Sequence, residues 1–181
     1  MSDFGTAINY VLKQEGGLSE RSNDKGGITG FGISLRFIRS LPIDRLRDYH
    51  IFEEPTEQTI KDLTIEQAKK IYYGEFWIHA PFDKIGNQDI CNYLFDMAIN
   101  MGISPAIKCA QRACWAVMQR WELLHDDGIL GDKTISTIQQ CGYLYKSALR
   151  AERANYYRAL VIADPSQKEF LNGWFNRTYN S

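Results

Sequence analysis

Phe4-Gly5-Thr6-Ala7-Ile8-Asn9-Tyr10-Val11-Leu12-Lys13-Gln14-Glu15-Gly16-Gly17 opens the 181-residue chain with a helix that ends on an acid. Phe4, Ala7, Ile8, Val11 and Leu12 recur at the spacing of one apolar face of an amphipathic helix. Glu15 follows Val11 by four residues and Leu12 by three, which puts its carboxyl on that same face. Gly16 and Gly17 stop the helix. A carboxylate there is disfavoured as the anion twice over, by desolvation and by the negative end of the helix dipole. Its pKa is expected to rise, and a raised pKa suits a general acid near neutral pH.

Downstream, residues 16–33 are dense in Gly, Asn, Asp and Ser, with Ile28, Phe31 and Ile33 as the few apolar anchors. That is turn and hairpin chemistry. It predicts a small irregular β-wing that carries Asp24 and Thr29 back towards Glu15. Two carboxylates and a positioned water are the minimal equipment for cleaving a glycosidic bond. Glu15-Gly16-Gly17 alone reads as an ordinary helix end. With Asp24, Gly26-Gly27, Thr29 and Gly32 added, it reads as a site. Thr29 can orient a water through a hydroxyl that donates and accepts, or it is a β-branched residue packing in the wing. Glu20 is an alternative second carboxylate.

The remaining chain reads as helix after helix. Thr64-Ile65-Glu66-Gln67 is a capping box opening a helix through Ala68, Ile71, Tyr72 and Phe76. A second helix runs from Asp89 to Met101 and stops at Gly102. Ser104 as N-cap and Pro105 in the first turn predict a third, continuing to Trp121. Tyr143 to Ala163 is a long amphipathic stretch, and Asp164-Pro165-Ser166 separates it from a short helix holding Phe170, Leu171 and Trp174. Pro42 and Pro55 bracket a polar region of loop and short helices. No segment reads as a large sheet, a linker or a repeat. The expected fold is mainly α, a helical domain with a small glycine-rich β-wing.

The motifs resemble a known family. Glu15-Gly16-Gly17, Asp24-Lys25-Gly26-Gly27-Ile28-Thr29 and Gly32-Ile33 resemble the signature of the glycoside hydrolase family 108 muramidases, found in phage endolysins and bacterial secretion-activator proteins. Phe95-Asp96-Met97-Ala98-Ile99-Asn100-Met101-Gly102 resembles the family's central helix, and Gln111-Arg112 follows as expected. Asp127-Gly128-Ile129-Leu130-Gly131-Asp132-Lys133-Thr134 resembles a peptidoglycan-binding motif shared by several cell-wall-binding helical modules. The resemblance covers nearly the whole chain and implies a lysozyme-like fold, with a catalytic lobe at 1–86 and a peptidoglycan-binding-like helical portion at 87–181. It implies that Glu15 protonates the oxygen between N-acetylmuramic acid and N-acetylglucosamine, with Thr29 placing the water. Asp24 would activate water, stabilise an oxocarbenium-like transition state, or hold the wing in shape.

Composition bounds the rest. The 44% of hydrophobic residues suffice for one good core. A formal net charge of -1 provides no global basic field for nucleic acid or for anionic wall, so recognition is local. Tyr72, Tyr73 and Trp77 are candidate sugar platforms, although aromatics at helical spacing also serve as core. Asp96 and Asn100 share one helix face and read as a polar network supporting Glu15 or the wing, or as contacts to an N-acetyl group. Lys108, Arg112 and Arg120 read as solvated cations, with muropeptide carboxylates as the functional alternative. Cys91, Cys109, Cys114 and Cys141 form no CxxC pair and no metal spacing with His50, His79 or His125, so they read as reduced core residues; no metal and no cofactor is expected. No signal peptide and no membrane-crossing run is found, so the expectation is a monomer made in the cytoplasm and acting on glycan strands in the periplasm after release through a holin-like partner. A lytic transglycosylase and a non-catalytic peptidoglycan-binding protein are the alternative readings.

Overall fold

Capping residues and apolar stripes set the helices one after another. The structure, a computed structural model, describes residues 1–15 and 28–180, with the backbone alone for Glu15. Asp3 starts α1 (Phe4–Glu15) by accepting from the Thr6 backbone N–H at 2.7 Å. Ala7, Ile8 and Val11 are buried along it, while Gly5, Thr6, Asn9 and Lys13 face solvent. Each fully buried Ile or Val on such a stripe contributes about 1.5–3 kcal/mol.

The described part of the wing is a hairpin of β1 (Thr29–Gly30) and β2 (Ile33–Ser34), antiparallel with Thr29 opposite Ser34. Its turn needs positive φ at two successive residues, 53° at Phe31 and 82° at Gly32. Ser34 then caps α2 (Leu35–Ser40) through the Phe37 N–H. The segment between Pro42 and Pro55 holds α3 (Ile43–Asp48), followed by α4 (Glu57–Lys61). The expected capping box is present: Thr64 and Gln67 exchange hydrogen bonds at the start of α5 (Ile65–Glu75). Asn87 caps α6 (Gln88–Met101), which ends at Gly102 with φ 94°.

Beyond Gly102 three boundaries differ from expectation. The helix α7 (Ile103–Met118) begins directly at the glycine elbow, so Ser104 is helical and its hydroxyl lies against Gly128 instead of capping. The same helix stops before Trp121, because Gln119 turns left-handed at φ 54°. The Trp115 indole N–H, donating to the Leu124 carbonyl at 3.0 Å, fixes that reversal. Trp121 is left in a 3-10 turn, 75% exposed. After α8 (Asp132–Gln140), Gly142 at φ 65° opens a 3-10 turn, so α9 (Tyr145–Ala163) starts two residues later than expected. A 3-10 segment from Pro165 then leads into α10 (Leu171–Tyr179).

Packing gives the layers. α1 lies along α6, and their first residues meet: the Asp3 N–H donates to Gln88 at 2.7 Å, and Phe4 packs edge-on to Phe95. The two helices therefore run the same way. Phe4, Trp77, Phe82 and Phe95 interlock at that end, each ring pair adding about 0.5–1.5 kcal/mol beyond its buried area. On the other side of α6, α7 packs along α9, and α9 on α10.

Candidate active site

α1 ends on Glu15, and α6, which starts beside the start of α1 and runs the same way, ends at the Met101-Gly102-Ile103 elbow. Asn100 is exposed at that elbow. The wing is held from a different direction. A Cβ on Gly30 would lie 2.8 Å from the Ile60 carbonyl oxygen, so only glycine lets β1 approach α4 this closely. The buried Tyr72 hydroxyl donates to the Phe31 carbonyl at 2.9 Å and pins the hairpin turn to α5. Thr29, half-buried on β1, is thus carried by a hairpin anchored on both α4 and α5. Asp24, Glu20 and the side chain of Glu15 lie outside the described residues.

The aromatic candidates occupy other places than expected. Tyr72 is a core residue and the anchor of the wing. Trp77 is only 8% exposed and sits in the aromatic cluster around Phe4, at the end of α1 about 16 Å from Glu15. Tyr73 is half-exposed at that same far end, edge-on to Phe4 and lining a groove with Arg45 and Lys69. Sequence spacing groups these rings within six residues, on α5 and the 3-10 turn after it, without saying which neighbour covers them.

Asp96 and Asn100 serve helix packing. Asp96 is completely buried between two arginines: Arg153 Nη2 lies 2.9 Å from Oδ2, and Arg177 Nη2 2.5 Å from Oδ1. Burial pushes the Arg153 guanidinium down, but the charge of Asp96 and the neighbouring Tyr157 and Tyr93 outweigh it and hold its pKa above the usual arginine value. The Tyr157 hydroxyl donates to Asn100 at 3.1 Å, and its ring stacks on Trp174. This network joins α6 to α9 and α10; of its two expected partners, the wing is held instead by Tyr72 and Gly30, and the Glu15 side chain lies outside the described residues. A fully buried Asp96 also has no surface to offer an N-acetyl group.

Gln111 is the residue sequence reading undervalued. It is buried, and its side chain closes the whole Asp127 to Thr134 block. Its amide nitrogen donates to Asp127 Oδ1 at 2.7 Å, to the Ile129 carbonyl at 3.1 Å and to Thr134 Oγ1 at 3.2 Å. Its oxygen accepts from the Gly128 N–H at 3.0 Å. The hydrogen bonds from Gln111 and the Ile129 N–H hold Asp127 below the usual carboxylate range. The motif's polar groups are thus largely spent on its own turn. Arg112, one residue on, pairs with Asp126 at 2.6 Å.

A second undervalued group is Glu75, whose Oε1 accepts from Arg45 at 2.9 Å and from the Tyr49 hydroxyl at 2.5 Å. That oxygen is committed to structure at the Phe4 end and is not offered to a ligand. All four cysteines are buried and free. Burial pushes the Cys91 and Cys109 thiols up to about 11, so neither is a thiolate nucleophile at neutral pH. Among the described residues, no group of three His, Cys, Asp or Glu side chains is placed to hold a metal ion.

A helical body that carries, among the described residues, one small two-stranded hairpin is a lysozyme-like architecture. The family model glycosyl hydrolase 108 matches residues 8–102, more than half of the chain, and a second, described as a predicted peptidoglycan domain, matches residues 105–179. The chain belongs to the glycosyl hydrolase 108 family. Among solved structures, that of SagA from Brucella abortus is similar with a TM-score of 0.72 and 23% identity, over 98% of this chain and 90% of that one, a likeness of fold. No curated protein sequence matches the chain. The two matched segments together make it a glycoside hydrolase acting on peptidoglycan.

Proposed function

We propose that the chain is an N-acetylmuramidase that hydrolyses the β-1,4 bond between N-acetylmuramic acid and N-acetylglucosamine, with Glu15 as general acid. The observation that supports this reading most is that α1 ends on Glu15, an acid inside the segment 8–102 that matches the glycosyl hydrolase 108 family model. In this reading Glu15 gives its proton to the leaving glycosidic oxygen as the bond breaks, and the sugar ring develops oxocarbenium character. Asp24 is the second carboxylate, and the Thr29 hydroxyl orients the water that completes the reaction. The wing delivers both, so the Tyr72 and Gly30 anchors act on catalysis through position. The enzyme works as a monomer on the periplasmic wall after release by a holin-like route, in cell lysis or in protein and toxin export.

The test is digestion of purified peptidoglycan by the wild type and by Glu15→Gln, with circular dichroism to confirm folding and mass spectrometry of the products. Loss of a general acid lowers the rate by about 10²- to 10⁴-fold. Reducing-end muramic acid from the wild type, suppressed to that extent in the variant, is the expected result. Undiminished cleavage by folded Glu15→Gln would move the acid elsewhere, and 1,6-anhydro ends would make the chain a transglycosylase.

A further inference from the structure

The start of α6 carries a cavity that the proposed chemistry does not use. It has a volume of about 370 Å³ and lies between the start of α6 and the end of α8. Ile90 and Ile138 form its floor, and Gly86, Asn87, Gln139 and Tyr143 its rim. Along the 14-residue α6 it is about 20 Å from the elbow at Gly102.

The chemistry of the rim is selective. Tyr143 is 91% exposed, so its ring is available as a flat apolar face. Asn87 uses its side-chain oxygen to cap α6, accepting from the Asp89 and Ile90 N–H groups at 3.0 and 3.1 Å. Among the described residues, no hydrogen bond engages the Asn87 amide nitrogen, the Gln139 side chain or the Tyr143 hydroxyl. The charges nearby cancel in pairs, Lys84 with Asp132 at 3.2 Å and Lys146 with Asp89 at 2.8 Å, each pair crossing from the first matched segment to the second. The cavity thus presents neutral amides, a phenol and an aromatic face, with no ionisable group in its lining apart from tyrosine.

Such a lining suits a neutral ligand that has both an apolar face and amide groups of its own. Of the two peptidoglycan sugars, N-acetylglucosamine fits this description. N-acetylmuramic acid carries a lactyl carboxylate or a charged peptide stem, for which the lining offers no cation. Gly86 keeps the rim open, since a Cβ there would stand 3.3 Å from Gln139 Nε2. We propose that this cavity is a second glycan site, which holds an N-acetylglucosamine unit with its ring on Tyr143 and its acetamido group between Asn87 and Gln139. The inference rests on peptidoglycan being the polymer bound, and it assigns the anchoring of the strand to a place remote from the cut.

The test uses the full chain as Glu15→Gln, so that the probe survives, titrated with the N-acetylglucosamine tetramer chitotetraose while backbone amide shifts are followed by NMR. Gly86 and Gly142 are expected to shift. Cellotetraose, which has no acetamido group, should shift them far less, and Gln139→Ala should weaken the site about fivefold, the effect of one lost hydrogen bond. Tyr143→Ala, on an exposed side chain, should weaken it as well without affecting the fold. Silence at Gly86 and Gly142, equal response to both sugars, or unchanged affinity in both variants would overturn the assignment. Product analysis with the wild type is independent: shifts at the cavity without muramic acid product would uphold this site and sink the muramidase, and product without shifts would do the reverse.

Discussion

Replacing Asp96 by Ala removes the only carboxylate of the buried ion cluster among the described residues, and it does so in the middle of α6. Arg153 is 0% exposed and Arg177 is mostly covered, so the substitution leaves one guanidinium fully buried with its charge uncompensated. Breaking a buried pair from one side costs about 3–5 kcal/mol. For a chain of this size each kcal/mol shifts Tm by about 2–4 °C, so a drop of about 6–20 °C is expected in a thermal melt followed by circular dichroism. Lys84→Ala supplies the contrast. Its pair with Asp132 is solvent-exposed, and losing it should cost less than about 1 kcal/mol. Combining Asp96→Ala with Arg153→Met should restore most of the loss, since the second change removes the orphaned charge. A drop of less than about 3 °C for Asp96→Ala, or a double variant no better than the single, would refute the view that Asp96 neutralises Arg153.

Three further outcomes follow from the geometry. Gly128→Ala should lower the urea midpoint by an amount equivalent to about 1–3 kcal/mol, because φ is 76° there and the new Cβ would meet the Ser104 hydroxyl and stand 3.0 Å from the Ser104 carbonyl oxygen; an unchanged midpoint would remove the strain argument. Glu152 is half-buried, and burial raises its pKa although Arg112 opposes the shift. A carboxyl whose folded pKa lies above its unfolded value of about 4.3 contributes fully below that value and loses the contribution as pH rises through the folded pKa. Glu152→Gln should therefore raise Tm at pH 7 and make little difference near pH 3; a loss of stability at pH 7 would contradict this. Tyr72→Phe deletes the bond to Phe31 at a stability cost of about 1 kcal/mol. If the wing delivers Thr29, peptidoglycan hydrolysis should fall by up to about 100-fold, well beyond the change in Tm; a loss of stability with full activity would show that the anchor is structural alone.

The parts legible in the sequence are those whose signals are local. The stripe from Phe4 to Leu12, the Thr64–Gln67 box and the glycine at 102 each lie within a few residues of the boundary they determine, and α1, α5 and α6 follow them. The end of α7 was not legible, because the left-handed Gln119 depends on Trp115 reaching Leu124, a contact made only after the chain reverses. The end of α1 on Glu15 was readable from pattern. The roles of Tyr72, Trp77 and Asp96 were not, since a residue on a helix face has the same periodicity whether a ligand, a hairpin or another helix covers it. Gln111 was obscure for a related reason: its four partners lie between Asp127 and Thr134, and nothing local to Gln111 announces them.

The spending of the Asp127 to Thr134 block on its own turn bears on where glycan recognition can reside. Each polar group engaged by Gln111 would have to give up a hydrogen bond to serve a sugar, and at the buried Gly128 and Thr134 an orphaned partner costs more than the new bond returns. Residues with unspent donors and acceptors are better placed, and around α8 these are Gln139 and Tyr143 at its far end. The motif then supports recognition indirectly. It fixes the start of α8 against α7 through Gln111 and Gly128, while the ion pairs Lys84–Asp132 and Lys146–Asp89 bridge α8 and α9 to the turn before α6 and to its first residues. The buried core runs without a break from Ala7 to Leu149, across the elbow where the two matched segments meet. If the proposed cavity holds a strand, it holds it on the start of α6, a helix that shares one continuous core with both matched segments.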